Sequence, residues 1–165
     1  MTTADLNLDA IELAAGAHDS REDGVCVMEL VAWAAGQPHS DMPPCVSPIL
    51  RDFTMRWNDD LDDTARQRLL PYAARTVDGR VVPGPLAGTA GDGHDERRAW
   101  LLVDWQIRTF TPAWLRLAGL QTEADRLAGA AGIVDHDTLA AVQSNLEQAR
   151  SKAVAAWAAA RAAAR

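Results

Sequence analysis

Residues 137–165 read DTLAAVQSNLEQARSKAVAAWAAARAAAR. Leu139, Val142, Leu146, Ala149, Ala153, Ala156, Ala160 and Ala163 recur every three or four positions, with no proline or glycine between them. That is the period of an α-helix with one face turned to a core. At 1.5 Å per residue the helix would extend about 42 Å. Leucine and valine give way to alanine along the seam. The first half is therefore expected to pack on the domain. The second half, residues 150–165, is expected to protrude with a narrow alanine face, to dock on a protein partner or a second copy, or to fray in solvent.

Working outward, the rest of the chain also reads as helix. Thr122 and Glu123 open a helix ending near Gly129, and Thr111-Pro112 open one ending at Gly119. Asp92 is a cap for a helix through Trp100, Val103, Ile107 and Phe110. Asp62 or Asp63 starts a helix carrying Leu69 and Tyr72, which Pro71 kinks or ends. Ser47-Pro48 starts a helix to about Asn58, with Ile49, Leu50, Phe53 and Trp57 inward. Ser20 or Asp23 caps a helix of Val27, Leu30, Val31 and Ala34 that Gly36-Gln37-Pro38 ends, and a short helix begins near Asp9. Residues 76–93 read as a long loop, or a small hairpin around Val81-Val82. The expected fold is all-α: a single domain over 1–165, a bundle of seven or eight helices with a long alanine-rich C-terminal helix.

Composition bounds the function. Of 165 residues 48% are apolar and 24% charged, the range of a globular chain and not of a disordered one. The formal charge is −7, with one lysine and arginines scattered among acids, so no basic patch is available to nucleic acid or an anionic membrane surface. No run of about 18 apolar residues marks a membrane span. The first ten residues carry acids and no basic n-region, unlike a secretory leader, so the expected location is cytoplasmic. Two cysteines in that compartment are expected to be reduced.

Chemistry-bearing residues concentrate in 16–48, GAHDSREDGVCVMELVAWAAGQPHSDMPPCVSP. Cys26 and Cys45 both fall near expected helix starts, where the dipole and free N–H groups favour a thiolate. Glu29 lies one turn beyond Cys26, and His18 lies in the approach to the same helix. These four are the candidate catalytic residues, His18 or Glu29 assisting proton transfer at the thiols. The other reading makes the cysteines small buried hydrophobes. His18, Cys26, His39 and Cys45 offer zinc-like ligands, but their spacing matches no knuckle, and a helix length is expected to hold His39 away from Cys26 unless the chain hooks back at Gln37-Pro38, which leaves His18, Cys26 and Cys45 as a three-ligand alternative. No metal ligand and no cofactor is assigned. Residues 58–69 lack the glycine and glutamate of a calcium loop, and the glycines of 88–93 lead into acids that repel phosphate. Asp104 among tryptophans is expected to pair with Arg108 one turn on.

Gly16, His18, Gly24, Cys26, Met28-Glu29, Gly36, Ser40-Asp41, Pro43, Cys45 and Ser47-Pro48 together resemble the signature of a group of small uncharacterised actinobacterial and actinophage proteins. The likeness extends more loosely to Asn58-Asp59, Arg75 and residues 100–115, about two thirds of the chain. It implies an actinobacterial source and assigns neither an activity nor residue roles.

Two functional readings follow. One is a cytoplasmic protein with a thiol-centred site at Cys26 and Cys45, an enzyme acting on a small molecule. The other is a non-catalytic helical module for protein binding or dimerisation through its last helix, with structural cysteines.

Overall fold

The computed structural model describes residues 6–163. Its elements are α1 (Val27–Ala34), α2 (Pro48–Asp60), α3 (Asp63–Arg66), α4 (Leu70–Ala73), β1 (Ala74–Val77), β2 (Arg80–Pro83), α5 (Asp95–Trp105), α6 (Thr111–Leu117), α7 (Gln121–Ala128) and α8 (His136–Ala163). Short 3-10 turns at Leu8–Ala10 and Gln67–Leu69 and a π-helical turn at Gln106–Phe110 complete the regular elements among the described residues. The fold is helical with a long C-terminal helix, as expected, and carries one small hairpin in addition. The last two positions expected in that helix, 164 and 165, lie outside the described residues. The chain divides into two compact units, one through Asp95 and one from Glu96.

In the first unit every residue of α1 is buried. Seven of its eight residues, VMELVAWA, are apolar, and a helix apolar all round must sit inside. Leu6, Leu13, Val46, Leu69, Ala73 and Leu86 belong to the core built around it. Its N-cap is Cys26, in extended backbone, and not Ser20 or Asp23. Ser20 bonds Asp23 at 2.6 Å in a turn of its own. Gly24, at φ +138°, separates that turn from the helix.

Helix α2 starts where Ser47-Pro48 predicted, but its face is rotated. Thr54 and Asn58 are buried, while Trp57 is 46% exposed and meets the Phe53 ring at a tilt of 57°, with centroids 5.3 Å apart. The Asn58 amide explains this, for it donates to the Ala14 carbonyl at 2.9 Å and accepts from the Val27 N–H at 3.3 Å.

Half of the expected loop is ordered as the β1–β2 hairpin, antiparallel with Thr76 opposite Val81. Asp78 (φ 49°) and Gly79 (φ 72°) form its two-residue turn, both in the left-handed region that such turns require. The chain beyond is tied down: Gly84 N–H donates to the Ala73 carbonyl, and Gly88 and Ala90 N–H to that of Cys45.

In the second unit Ile107, Leu115, Ala124, Leu127, Ile133, Val142 and Ala149 form the core. Pro112 has no N–H to return to Arg108, and just before it the chain widens, Thr111 N–H bonding the Gln106 carbonyl. Asp135 caps α8, accepting from the Thr138 N–H at 2.8 Å. Val142 and Ala149 of α8 are buried and Leu139, Leu146 and Ala153 partly so, the first part of the expected seam.

Candidate functional site

Glu29 is the one charged residue of α1 and is 1% exposed. A carboxylate so placed must find donors or neutralise. Its Oε2 accepts from the Cys26 N–H at 2.7 Å and the His18 Nδ1 at 2.9 Å. Its Oε1 accepts from the His18 N–H at 2.7 Å, with His39 Nε2 3.7 Å away. The bond to Cys26 is the glutamate half of a capping box, with cysteine where serine or threonine usually stands. Burial alone would raise the Glu29 carboxyl. The Cys26 and His18 N–H groups and the His18 ring outweigh it and hold the carboxyl below its ordinary 4.5. With the carboxylate ionised, His18 Nδ1 is the donor in their bond.

The neighbours hold this arrangement from outside. A Cβ on Gly24 would lie 2.6 Å from His18 Cδ2, so the ring occupies the space that glycine leaves. His39 Nε2 donates to the His18 carbonyl at 2.9 Å, and its Nδ1 is buried without a partner. His39 thus reaches the His18–Glu29 side of the site from beyond the end of α1. Gly36, at φ +67°, ends α1 and the chain doubles back.

Three of the four candidate residues, His18, Cys26 and Glu29, therefore meet. Cys45 is not among the partners of Glu29. It is half-buried at the edge of the core, and its carbonyl holds the 84–91 segment. Both cysteines are free thiols. Cys26 is 4% exposed, and its thiol is pushed up to about 12. Burial is the largest cause, and the Glu29 charge adds to it. The helix-terminus argument for a thiolate at Cys26 is overridden because the nearest charge is an anion in a dry place. Among the described residues, no group of three or more His, Cys, Asp or Glu is placed to hold a metal ion.

A second polar network escaped the sequence reading. Arg66 is buried and donates to the Asn58 and Leu61 carbonyls at 2.7 and 2.6 Å and to Asp63 at 2.6 Å, closing the end of α2. Gln67 pairs with both backbone groups of Leu13, at 2.8 and 3.0 Å. A buried arginine and two amides leave no periodic trace in a sequence, because their partners are backbone atoms brought up by folding.

In the second unit Asp104 pairs with Arg108 at 3.0 Å, as expected, and accepts from the Ile133 N–H at 2.8 Å. The Ile133 N–H and then Arg108 hold its carboxyl below the ordinary range against the opposing pull of burial. Trp100 meets the edge of His136, while Trp105, Phe110 and Trp114 form a ladder with centroids 5.2 and 6.1 Å apart. That ladder is exposed, Trp114 by 60%. On the distal part of α8, Val154 and Trp157 are 59% and 61% exposed, and the Arg161 guanidinium lies 4.6 Å from the Trp157 ring centre. No helix among the described residues is long and apolar enough to cross a membrane.

Comparison with known proteins finds no matching family model, no matching curated protein and no matching solved structure.

Proposed function

We propose that this chain is a non-catalytic helical binding module of the cytoplasm whose docking element is the distal half of α8. The observation that carries the reading is the exposure of Val154 and Trp157 where the α8 seam runs past its last core contact at Ala153. Large apolar side chains held on a rigid helix face are the usual anchors of a helix-mediated contact. The free thiols fit a reducing compartment.

The thiol-centred reading asks Cys26 to ionise near neutral pH. Burial and the neighbouring Glu29 charge push that thiol up to about 12, away from ionisation at neutral pH. The Glu29 oxygens are already taken up by N–H donors, so the carboxylate positions chain more readily than it moves protons. The cysteines are read as packing residues and His18 and Glu29 as fastenings.

Ending the chain after Ala153 tests the docking assignment. A helix half that serves a partner contributes little to its own fold. The shortened protein is expected to unfold cooperatively with a midpoint within about 4 °C of the full chain, as for a loss of about 1 kcal/mol or less. Loss of cooperative unfolding would make the distal half a structural part of the domain and remove the assignment.

A further inference from the structure

We infer that the partner of α8 is a second copy of this chain, the two helices crossing antiparallel at Val154. The inference rests on the docking reading above and names the occupant.

Glu147, Arg150, Val154, Trp157 and Arg161 follow one another at steps of three, four, three and four, and so form one stripe along the helix. All five are exposed. Glu147 is the last acid of the chain, and the described charges beyond it, Arg150, Lys152 and Arg161, are all basic. Placed parallel, two such helices would set Arg150 against Arg150 and Arg161 against Arg161.

Placed antiparallel, the charges complement each other. Glu147 and Arg161 stand seven residues before and after Val154, about 10 Å along the axis in each direction. A two-fold axis at Val154 therefore brings each Arg161 level with Glu147 of the other copy, twice by symmetry. Trp157, three residues beyond Val154, comes within about 1.5 Å of level with Arg150 of the other copy, four residues before it. An arginine beside a tryptophan face is a favourable pairing, and Arg161 already makes one within the chain. Glu147 is free to turn outward, since its contact with Gln143 is a weak 3.4 Å bond. A single helix crossing is smaller than a standard interface, so the association belongs in the micromolar range or weaker.

Sedimentation velocity on the full chain, from about 1 to 500 μM, decides the matter across that affinity range. The expected result is a concentration-dependent monomer–dimer equilibrium that weakens with salt. R161E and E147R are each expected to weaken dimerisation about tenfold or more, and the double swap E147R/R161E to restore most of it. Circular dichroism confirms that each exposed-site variant is folded. A monomer at every concentration, a dimer that ignores the single swaps, a double swap that fails to rescue, or growth beyond two copies would each overturn the inference. If the chain is monomeric while the Ala153 truncation folds as expected, self-pairing fails and the docking reading stands; if the truncation unfolds, the docking reading itself fails.

Discussion

The Glu29 carboxylate gathers N–H donors from positions eleven residues before it and three residues before it, and so joins the approach segment to the start of α1. Removing its charge leaves these donors with a weaker acceptor in a place water does not reach. Glu29→Gln is expected to cost about 3 kcal/mol in urea unfolding at pH 7, the scale for one partner lost from a buried charged network. The pH dependence has a definite sign. The carboxyl is held below its ordinary 4.5 in the folded chain, so its contribution is present above that pH and is lost as pH falls through the depressed value. Asp104 is lowered as well, so the difference between wild type and variant is the quantity to follow. The gap between the two stabilities should narrow below pH 4.5; a gap that is absent at pH 7, or constant into acid, would remove Glu29 from its place as fastening.

Among the elements, the β1–β2 hairpin is the one addition to a helical chain, and its turn makes a sharp demand. Gly79 sits at φ +72° behind Asp78 at +49°. A Cβ at Gly79 meets no atom within 4 Å, so Gly79→Ala reads backbone strain alone, an expected loss of about 1 kcal/mol in the same unfolding assay. A neutral substitution would mean that the turn has another form. How far the elements were legible follows from which forces shaped them. The α8 seam and the Ser47-Pro48 start are local patterns, and both were readable. The sequence reading centres a hairpin on Val81-Val82, whereas the turn is Asp78-Gly79 and those valines lie within β2. The start of α1 was misplaced because its cap is settled by Glu29 and Gly24 together. The inward face of α2 was misread because hydrophobicity favoured Trp57, whereas folding spends the buried position on Asn58, which serves backbone groups of Ala14 and Val27. His18, Cys26 and Glu29 are close in sequence and so legible as a group, whereas the place of His39 depends on the backbone reversal at Gly36.

The whole molecule carries its charge unevenly. Through Asp95 there are sixteen acids against seven bases, and beyond it seven against nine. The acidic character that argues against nucleic acid thus belongs to the first unit, and the distal α8 carries only bases beyond Glu147, the charge order on which the proposed antiparallel pairing rests. Each unit holds its own core, and Cys26 is part of the first. A sulfur in that position reaches solvent only when the unit around it opens, so its labelling reports stability and not chemistry. Native-state labelling of Cys26 by an aromatic disulfide at pH 7.5, with Cys45 replaced by serine, is the direct measurement. The account predicts that Cys26 reacts no faster than its unit unfolds and that the rate rises with urea in step with lost stability. Labelling of the folded protein within seconds, insensitive to urea below the unfolding transition, would contradict it and return the thiol to the centre of the protein's function.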